Sequence, residues 1–368
     1  MEEVLGTRAL NRATLARQLL LRRAELPAHD ALRQLVGLQA QVPHNPYTGL
    51  FCRLEHFRAA ELSGLLEERN AARMTALRAT IHLLTADDCL ALAPLVRPLV
   101  DAEIARHPEY APRLRGVDLR PVLVFARGVL AAPRTGPELR AALAERFPQR
   151  DPAALAFACR KLALVQTPPR GLWRRGAQVR LVTAESWLGR PLEKTPSLDA
   201  LVLRYLGAFG PASVADAATW SRLTGLRQVF ERLRPRLATF RDEKGRELFD
   251  LPNAPRPDPD TPAPVRFLPE FDNVLLSHRD RSRLVAERDQ AAIAGAWQIG
   301  WGGVLHEGFL RAIWRADANG VLVRHTPLTK KALGAVAAVG RRLARVLELN
   351  SAEVRLEPLS RRGPRRGG

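Results

Sequence analysis

The segment RYLGAFGPASVADAATW (204–220) predicts a helix, a tight turn and a second helix. Residues 196–209 form the first helix of this pattern, and Gly210-Pro211-Ala212-Ser213 opens the next. A third helix is predicted over 224–234, followed by strands near 236–240 and 246–251 that turn at Lys244-Gly245. Three helices followed by a β-hairpin is the order of a winged-helix unit.

The same order occurs twice more towards the N-terminus. The first copy has predicted helices over 7–24, from Asp30, from near Tyr47 and over 58–69, followed by an alternating run from 74 to 84. The second copy has predicted helices over 119–131, over 136–147 and from Pro152, followed by a hairpin over 162–183 that turns at Arg175-Gly176. We therefore predict an α+β fold with tandem winged-helix units at 1–116, 117–190 and 195–256.

The rest of the chain has a different composition. Six prolines between 252 and 264 predict an extended, exposed linker. Residues 265–326 are predicted to be mostly strands, and 328–348 an amphipathic helix, which makes 265–359 a strand-rich C-terminal region. The last residues, 360–368, are predicted to be a disordered basic tail.

The charge of the chain indicates a polyanionic partner. A formal net charge of +19 and a pI near 11.2 favour nucleic acid over a membrane surface. No apolar run approaches the ~18 residues of a membrane span. Three cysteines without CxxC spacing are typical of a reduced cytoplasm. No cluster has metal-ligand spacing, so we expect no metal and no cofactor. We also expect a cytoplasmic protein that associates with the nucleoid when it is bound to DNA.

Two glutamines, in Gln39-Ala40-Gln41, stand just before Pro43. If 30–40 is helical, Gln39 lies on the inward face, and Gln41 points about 200° away. Pro43 disfavours helical geometry at the preceding residue, so the helix is expected to stop near Gln41, which lets both amides reach one cleft. The spacing alone favours another interpretation, in which Gln39 ties a helix to a loop and Gln41 is solvated.

Five stretches, in this order, resemble the winged-helix DNA glycosylases of the AlkZ type: VGLQAQVP (36–43), RATIHL (78–83), RYLGAFGPASVADAATW (204–220), FLPEFDNVLLSHRDR (267–281) and the strand pair ending in Trp314-Arg315. In that family a Gln-hydrophobic-Gln motif in the DNA-facing cleft carries base excision. The resemblance implies that Gln39 and Gln41 are catalytic. It also implies that the substrate is double-stranded DNA with alkylated purines, either bulky natural-product adducts or interstrand crosslinks, in repair or in antibiotic self-resistance.

Glutamine cannot act as a proton-transferring base, but such a substrate does not need one. A guanine alkylated at N7 is already cationic and leaves as a neutral base, so it needs no acid. The glutamine oxygens are then suited to stabilise positive charge on the sugar and to orient a water. The five lysines all lie far from the motif in sequence. We therefore expect a monofunctional glycosylase without a lyase amine.

Three groups of residues are predicted to contact DNA. Arg78, Thr80 and His82 alternate along a predicted strand and so face one way. Arg174, Arg175 and Arg180 mark a basic wing suited to phosphate, and His278, Arg279 and Arg281 lie in a loop suited to clamp a strand. An ordinary solvated strand face and a surface charge run are the competing interpretations.

Two other functions fit parts of this pattern. A winged-helix transcription regulator without enzyme activity fits the charge, but such regulators are mostly dimers with one unit per chain. Here three units are predicted and no effector domain is evident. A monomer with no preferred duplex sequence would favour the glycosylase over the regulator. A two-metal nuclease is disfavoured because no carboxylate cluster is evident in the sequence.

Overall fold

The computed structural model describes residues 3–296 and 299–359, so the predicted basic tail at 360–368 lies outside the described residues. The first part contains β1 (Val4–Leu5), α1 (Thr7–Arg17), α2 (Ala28–Gln34), β2 (Leu38–Gln39), α3 (Asn45–Phe51), α4 (Ala59–Glu67), β3 (Ala71–Thr75), β4 (Ile81–Thr85), α5 (Ala86–Arg106) and α6 (Tyr110–Arg113). The middle part contains α7 (Leu119–Val129), β5 (Arg134–Thr135), α8 (Gly136–Arg146), α9 (Pro152–Ala158), β6 (Leu164–Gln166), β7 (Arg180–Thr183) and α10 (Ala184–Leu188).

The remaining elements complete the described chain. They are α11 (Leu198–Phe209), α12 (Val214–Ser221), α13 (Leu226–Leu233), β8 (Ala238–Asp242), β9 (Glu247–Asp250), β10 (Arg266–Leu268), α14 (Glu287–Ala296), β11 (Gly302–His306), β12 (Phe309–Asp317), β13 (Gly320–His325), α15 (Lys330–Val346) and β14 (Val354–Pro358). The predicted mixture of helices and sheets with a strand-rich C-terminal region is confirmed. None of the described helices is long and apolar enough to cross a membrane.

The first two predicted hairpins form one sheet. Its six strands lie in the order β2-β4-β3-β6-β7-β5, and β3 joins the two hairpins by pairing Arg73 with Gln166 and Met74 with Val165. The long helix α5 follows directly after β4, where the sequence predicted no element. This sheet continues across the predicted border at 116 and so does not separate the first two predicted units. The division at 116 and 190 remains a prediction.

The quoted segment 204–220 forms α11 and α12, as predicted. Ser213 caps α12 by accepting from the backbone N–H of Asp216, whose carboxylate accepts in return from Ser213 N, a capping box. The following hairpin, β8–β9, gains a third strand because β1 pairs in parallel with β8. The N-terminus of the chain is thereby attached to the third predicted unit.

The C-terminal sheet has the order β10-β11-β12-β13-β14, with α15 packed against it. The helix α14 lies within the region predicted to be mostly strands, so that prediction was incomplete. The chain between β9 and β10 forms no described helix or strand, in agreement with the predicted linker.

Two buried ion pairs attach the N-terminal helices to distant parts of the chain. Arg17 donates to both carboxylate oxygens of Asp250, at 2.6 and 2.8 Å. Arg53 donates to both oxygens of Asp272, each at 2.8 Å, and both side chains are fully buried. Because bidentate pairs fix orientation as well as distance, the second pair holds the segment around Asp272 rigidly against the first unit. That segment supplies one residue of the site described next.

Candidate functional site

The two glutamines lie on an extended segment and not at a helix end. α2 ends at Gln34, and Gly37 has a φ of +81°. A Cβ at Gly37 would lie 2.8 Å from the carbonyl oxygen of Leu83, so glycine lets the chain turn tightly onto β4. Gln39 then pairs with His82 in the antiparallel ladder. The prediction of a helix over 30–40 was therefore wrong, because the turn at Gly37 ends helical geometry before the motif.

Gln39 is 7% exposed and is held by a single cation. Its Oε1 accepts a hydrogen bond of 2.8 Å from Nη2 of Arg78. Since a guanidinium only donates, this contact requires the amide oxygen, and not the nitrogen, to face Arg78. The amide nitrogen of Gln39 is consequently the end directed away from the cation.

Arg78 connects three parts of the molecule at this point. Besides Gln39 it donates to Oδ1 of Asn273 at 2.8 Å and to the carbonyl of Trp220 in α12 at 2.6 Å. Asn273 in turn donates to the carbonyl of Gly37 at 3.2 Å. Burial, and then the charge of Arg222, lowers the pKa of Arg78 to about 10, which leaves it charged at neutral pH. Gln39 is therefore fixed by the convergence of the first unit, the third unit and the C-terminal region.

The predicted polar strand face of Arg78, Thr80 and His82 is not formed. Arg78 and Ala79 have positive φ values, within a single 3₁₀ turn, and β4 begins only at Ile81. Thr80 is half-buried, and its hydroxyl donates to the carbonyl of Leu77 at 3.1 Å. The strained turn aims Arg78 inwards at Gln39, so the assumed alternation along one strand was wrong.

His82 is fully buried, which corrects its assignment as a DNA contact. Arg78 lies 3.2 Å from its Nε2, so that nitrogen accepts, and Nδ1 donates to the carbonyl of Thr80 at 3.0 Å. Burial, and then the charge of Arg78, lowers the pKa of His82 to about 3. The ring is therefore neutral at physiological pH and helps to orient Arg78.

Gln41 is exposed and reaches a cleft that Gln39 does not line. Its Oε1 accepts from the backbone N–H of Ile81 at 3.2 Å, which leaves one lone pair for another donor. The cleft has a volume of about 540 Å³ and lies between the first hairpin, α5 and the second predicted unit. The prediction that both amides reach one cleft is therefore wrong for this cleft, which Gln41 lines and the buried Gln39 does not.

Four cations line this cleft: Arg97, Arg127, Arg160 and Lys161. Arg127, Arg160 and Lys161 each pair with a carboxylate, at 2.8, 2.9 and 2.6 Å respectively, whereas Arg97 has no ion pair within the described part of the chain. Such partly exposed pairs contribute only about 0–1 kcal/mol each, so a phosphate can compete for these cations.

The sequence analysis did not find Arg97 because α5 was not predicted. A signal was present, since Cys89, Ala93, Val96 and Val100 are buried at helical spacing. Pro94 and Pro98 interrupt this pattern and conceal it, although both are accommodated within the helix.

The predicted basic wing is exposed at Arg174, Arg175 and Arg180. Arg174 pairs with Glu348 at 2.6 Å, and Arg180 lies on β7 with Glu138 at 3.8 Å. Their contact with DNA stays a prediction.

The predicted loop around His278 divides into a buried part and an exposed part. His278 is buried between the hydroxyl of Ser277 and the carbonyl of Phe209, each 3.0 Å from a ring nitrogen. Burial, followed by the charge of Arg283, lowers the pKa of His278. Its assignment as a DNA contact is therefore corrected, whereas Arg279 and Arg281 are exposed at the rim of a second cavity of about 820 Å³.

Comparison with known proteins gives a family and a fold. Residues 32–346 match the family model described as DNA glycosylase AlkZ-like. The solved structure of Streptomyces sahachiroi DNA glycosylase AlkZ matches with a TM-score of 0.78 and 21% identity, over 96% of this chain and 100% of that chain. No curated protein sequence matches the chain.

Proposed function

The chain belongs to the AlkZ-like family and is a DNA glycosylase, and we propose that it hydrolyses the N-glycosidic bond of guanines alkylated at N7. The product would be an abasic site, since the lysine that lines the cleft of Gln41, Lys161, is bonded to Asp101 at 2.6 Å. The substrates would be bulky natural-product adducts or interstrand crosslinks, in DNA repair or in self-resistance, and the enzyme would act as a monomer.

The observation that carries this proposal is that neither glutamine is hydrogen-bonded to an acid among the described residues. Within the described residues, the side chains bonded to Gln39 and Gln41 include no carboxylate. His82 is neutral because its pKa is about 3, and Arg78 stays protonated because its pKa is about 10. Glu103, the carboxylate in the lining of the cleft, is paired with Arg160 at 2.9 Å. Glutamines without an acid bonded to them favour a base that departs without protonation, and a cationic N7-alkylguanine is such a base.

The environments of the two glutamines support different roles. Gln41 has an amide at the cleft and a free lone pair on Oε1, so we assign it to stabilising the positive sugar and orienting the attacking water. The oxygen of Gln39 already faces a cation, which weakens its attraction for positive charge. We therefore assign Gln39 a role through its amide N–H groups, as a donor that positions the attacking water.

Binding to duplex DNA would be dominated by arginine. The net charge of +19 and the exposed Arg174, Arg175, Arg180, Arg279 and Arg281 support phosphate contacts over a broad surface.

The proposal is tested with matched duplexes that contain N7-methylguanine, a bulky N7 adduct, an N7–N7 crosslink or the neutral base hypoxanthine. Excess enzyme should release the N7-alkylated bases and leave hypoxanthine in place. Equal release of hypoxanthine would contradict the argument from charge, and release of none of the four would contradict the proposed substrate class.

A further inference from the structure

Arg73, in the centre of β3, is a buried cation without a counter-charge. Its side chain is 2% exposed, and it forms no ion pair with any carboxylate in residues 3–296 or 299–359. Nη2 donates to the carbonyl of Ala40 at 2.8 Å, whereas Nε and Nη1 have no hydrogen-bond partner in that part of the chain. Arg53 offers the contrast, since it is equally buried but bonded to both oxygens of Asp272. Leaving buried donors unpaired is costly, which makes Arg73 unusual.

The surroundings of Arg73 are cationic as well. Burial, and then the charge of Arg170, lowers the pKa of Arg73 to about 10, so Arg73 stays charged at neutral pH. His44 lies close enough that Arg73 and Arg170 both add to the effect of burial in lowering its pKa. Nε of Arg170 is also buried and lacks a partner among the described residues. Three buried nitrogen atoms of two arginines, Nε and Nη1 of Arg73 and Nε of Arg170, are therefore available to an acceptor.

Gln166 lies beside Arg73 on the neighbouring strand and lines the cleft. It is the cross-strand partner of Arg73, and such partners project to the same face of a sheet. Its Oε1 is buried and without a partner in the described chain, while the residue lines the cleft that Gln41 reaches. Rotating this amide by half a turn replaces the unpaired acceptor by an NH₂ donor.

The other side of Arg73 is closed. Gly171, with a φ of +97°, covers the side chain so tightly that a Cβ there would lie 2.8 Å from Cδ of Arg73. Tyr47 holds this cover by donating to the carbonyl of Gly171 at 2.8 Å. Gly171 and Tyr47 thus cover one side of the guanidinium, and Gln166, which lines the cleft, is the neighbour of Arg73 on the adjacent strand.

We propose that Arg73, Arg170 and Gln166 bind one phosphate of the DNA backbone beside the excised nucleotide. This assignment rests on the proposed function for the identity of the anion. A phosphate oxygen accepts from guanidinium N–H groups in bidentate geometry and supplies the missing negative charge. Because Arg73 also holds the carbonyl of Ala40, the bound phosphate fixes the position of the glutamine motif relative to the lesion. The phosphate also places negative charge near the sugar as positive charge develops there.

The test compares Arg73→Met with Arg53→Met. Removing a buried cation that lacks a partner should leave the melting temperature of the free protein unchanged or raised, whereas Arg53→Met strands Asp272 and should lower it by on the order of 5–10 °C. For DNA with a tetrahydrofuran abasic analogue, Arg73→Met should weaken binding. It should also make the slope of log K against log salt less steep by about 0.9, the value for one lost phosphate contact.

Arg170→Met should change the salt slope in the same direction, and it keeps the test decisive if Arg73→Met does not fold. An unchanged slope in both variants overturns the proposal and leaves Arg73 a structural residue. A site for free phosphate would instead raise the melting temperature of the wild type in phosphate compared with chloride at equal ionic strength. Combined with an unchanged salt slope of DNA binding in the variants, that result also overturns the assignment. Because no step depends on excision, failure of the proposed substrate class would not change these binding results.

Discussion

Gln39→Glu separates the two ways in which this glutamine can act. The substitution keeps the shape and the oxygen that faces Arg78, but it replaces the amide NH₂ by a second oxygen and adds a negative charge. If Gln39 acts as a donor, as its orientation towards Arg78 indicates, the excision rate falls. If its oxygen stabilises the positive sugar, the added charge raises the rate.

The fold should tolerate this change. With charges roughly 4 Å apart and an effective dielectric constant of about 20, the new ion pair gains about 4 kcal/mol. Desolvation of the carboxylate costs several kcal/mol, so the net change in the free energy of unfolding should lie within about 2 kcal/mol of zero. Loss of one hydrogen bond in the transition state, about 1.5–3 kcal/mol, predicts a rate about 10- to 100-fold lower.

The assay is single-turnover release of N7-methylguanine by excess enzyme, with thermal melting of each variant measured in parallel. Gln41→Glu is the matched control, because it adds the same charge at a glutamine bonded to a backbone N–H instead of Arg78. Its rate should stay within about tenfold of the wild type, since a carboxylate at the cleft still stabilises positive charge. A folded Gln39→Glu variant as fast as the wild type, or faster, would refute the donor role.

Three further outcomes are expected. The pKa of His82 in the folded protein, about 3, is below the ordinary 6.5, so the unfolded chain binds more protons as the pH falls below 6.5. Stability is therefore lost as the pH falls from 6.5 to 3. Urea unfolding at pH 5.0 should show a free energy of unfolding about 2 kcal/mol lower than at pH 7.5 from His82 alone, and His278 adds to this loss. Equal free energies of unfolding at the two pH values would contradict the burial of His82. The excision rate should vary little between pH 6.5 and 8.5, because neither glutamine titrates and His82 is already neutral, and a bell-shaped rate profile there would indicate an unrecognised acid or base. Affinity for two unrelated duplexes should fall steeply and equally with salt, as measured by fluorescence anisotropy, whereas a large preference for one sequence would contradict binding through phosphate contacts.

Local patterns in the sequence predicted the helices and hairpins well but not their assembly. Gly210-Pro211-Ala212-Ser213 marks the turn between α11 and α12 because capping and turn chemistry are local. The pairing of Arg73 with Gln166 joins residues far apart in sequence, so no local pattern indicates that two hairpins form one sheet. The long helix α5 was missed because proline locally disfavours the interior of a helix, whereas in the folded protein packing accommodates both prolines within it.

The candidate site shows the same division between local and long-range information. The pattern Gln39-Ala40-Gln41 was recognisable through its resemblance to a family, but the helix assigned to it was wrong because the close approach of Gly37 to Leu83 is a tertiary contact. The role of Asn273 was likewise hidden, because its bond to Arg78 spans 195 residues. His82 and His278 were wrongly assigned to DNA. Their burial depends on distant parts of the chain, such as Phe209 for His278, which no local pattern indicates.

The most direct test of the account is single-turnover release of N7-methylguanine by the Gln39→Ala, Gln41→Ala and double variants, with Gln149→Ala as an exposed control. The account predicts that both motif variants lose on the order of 10- to 1000-fold in rate while their affinity for an abasic-analogue duplex and their melting temperature stay near the wild type. Gln149→Ala should match the wild type in all three measurements. Full excision by the folded double variant would contradict the claim that the two glutamines carry the reaction.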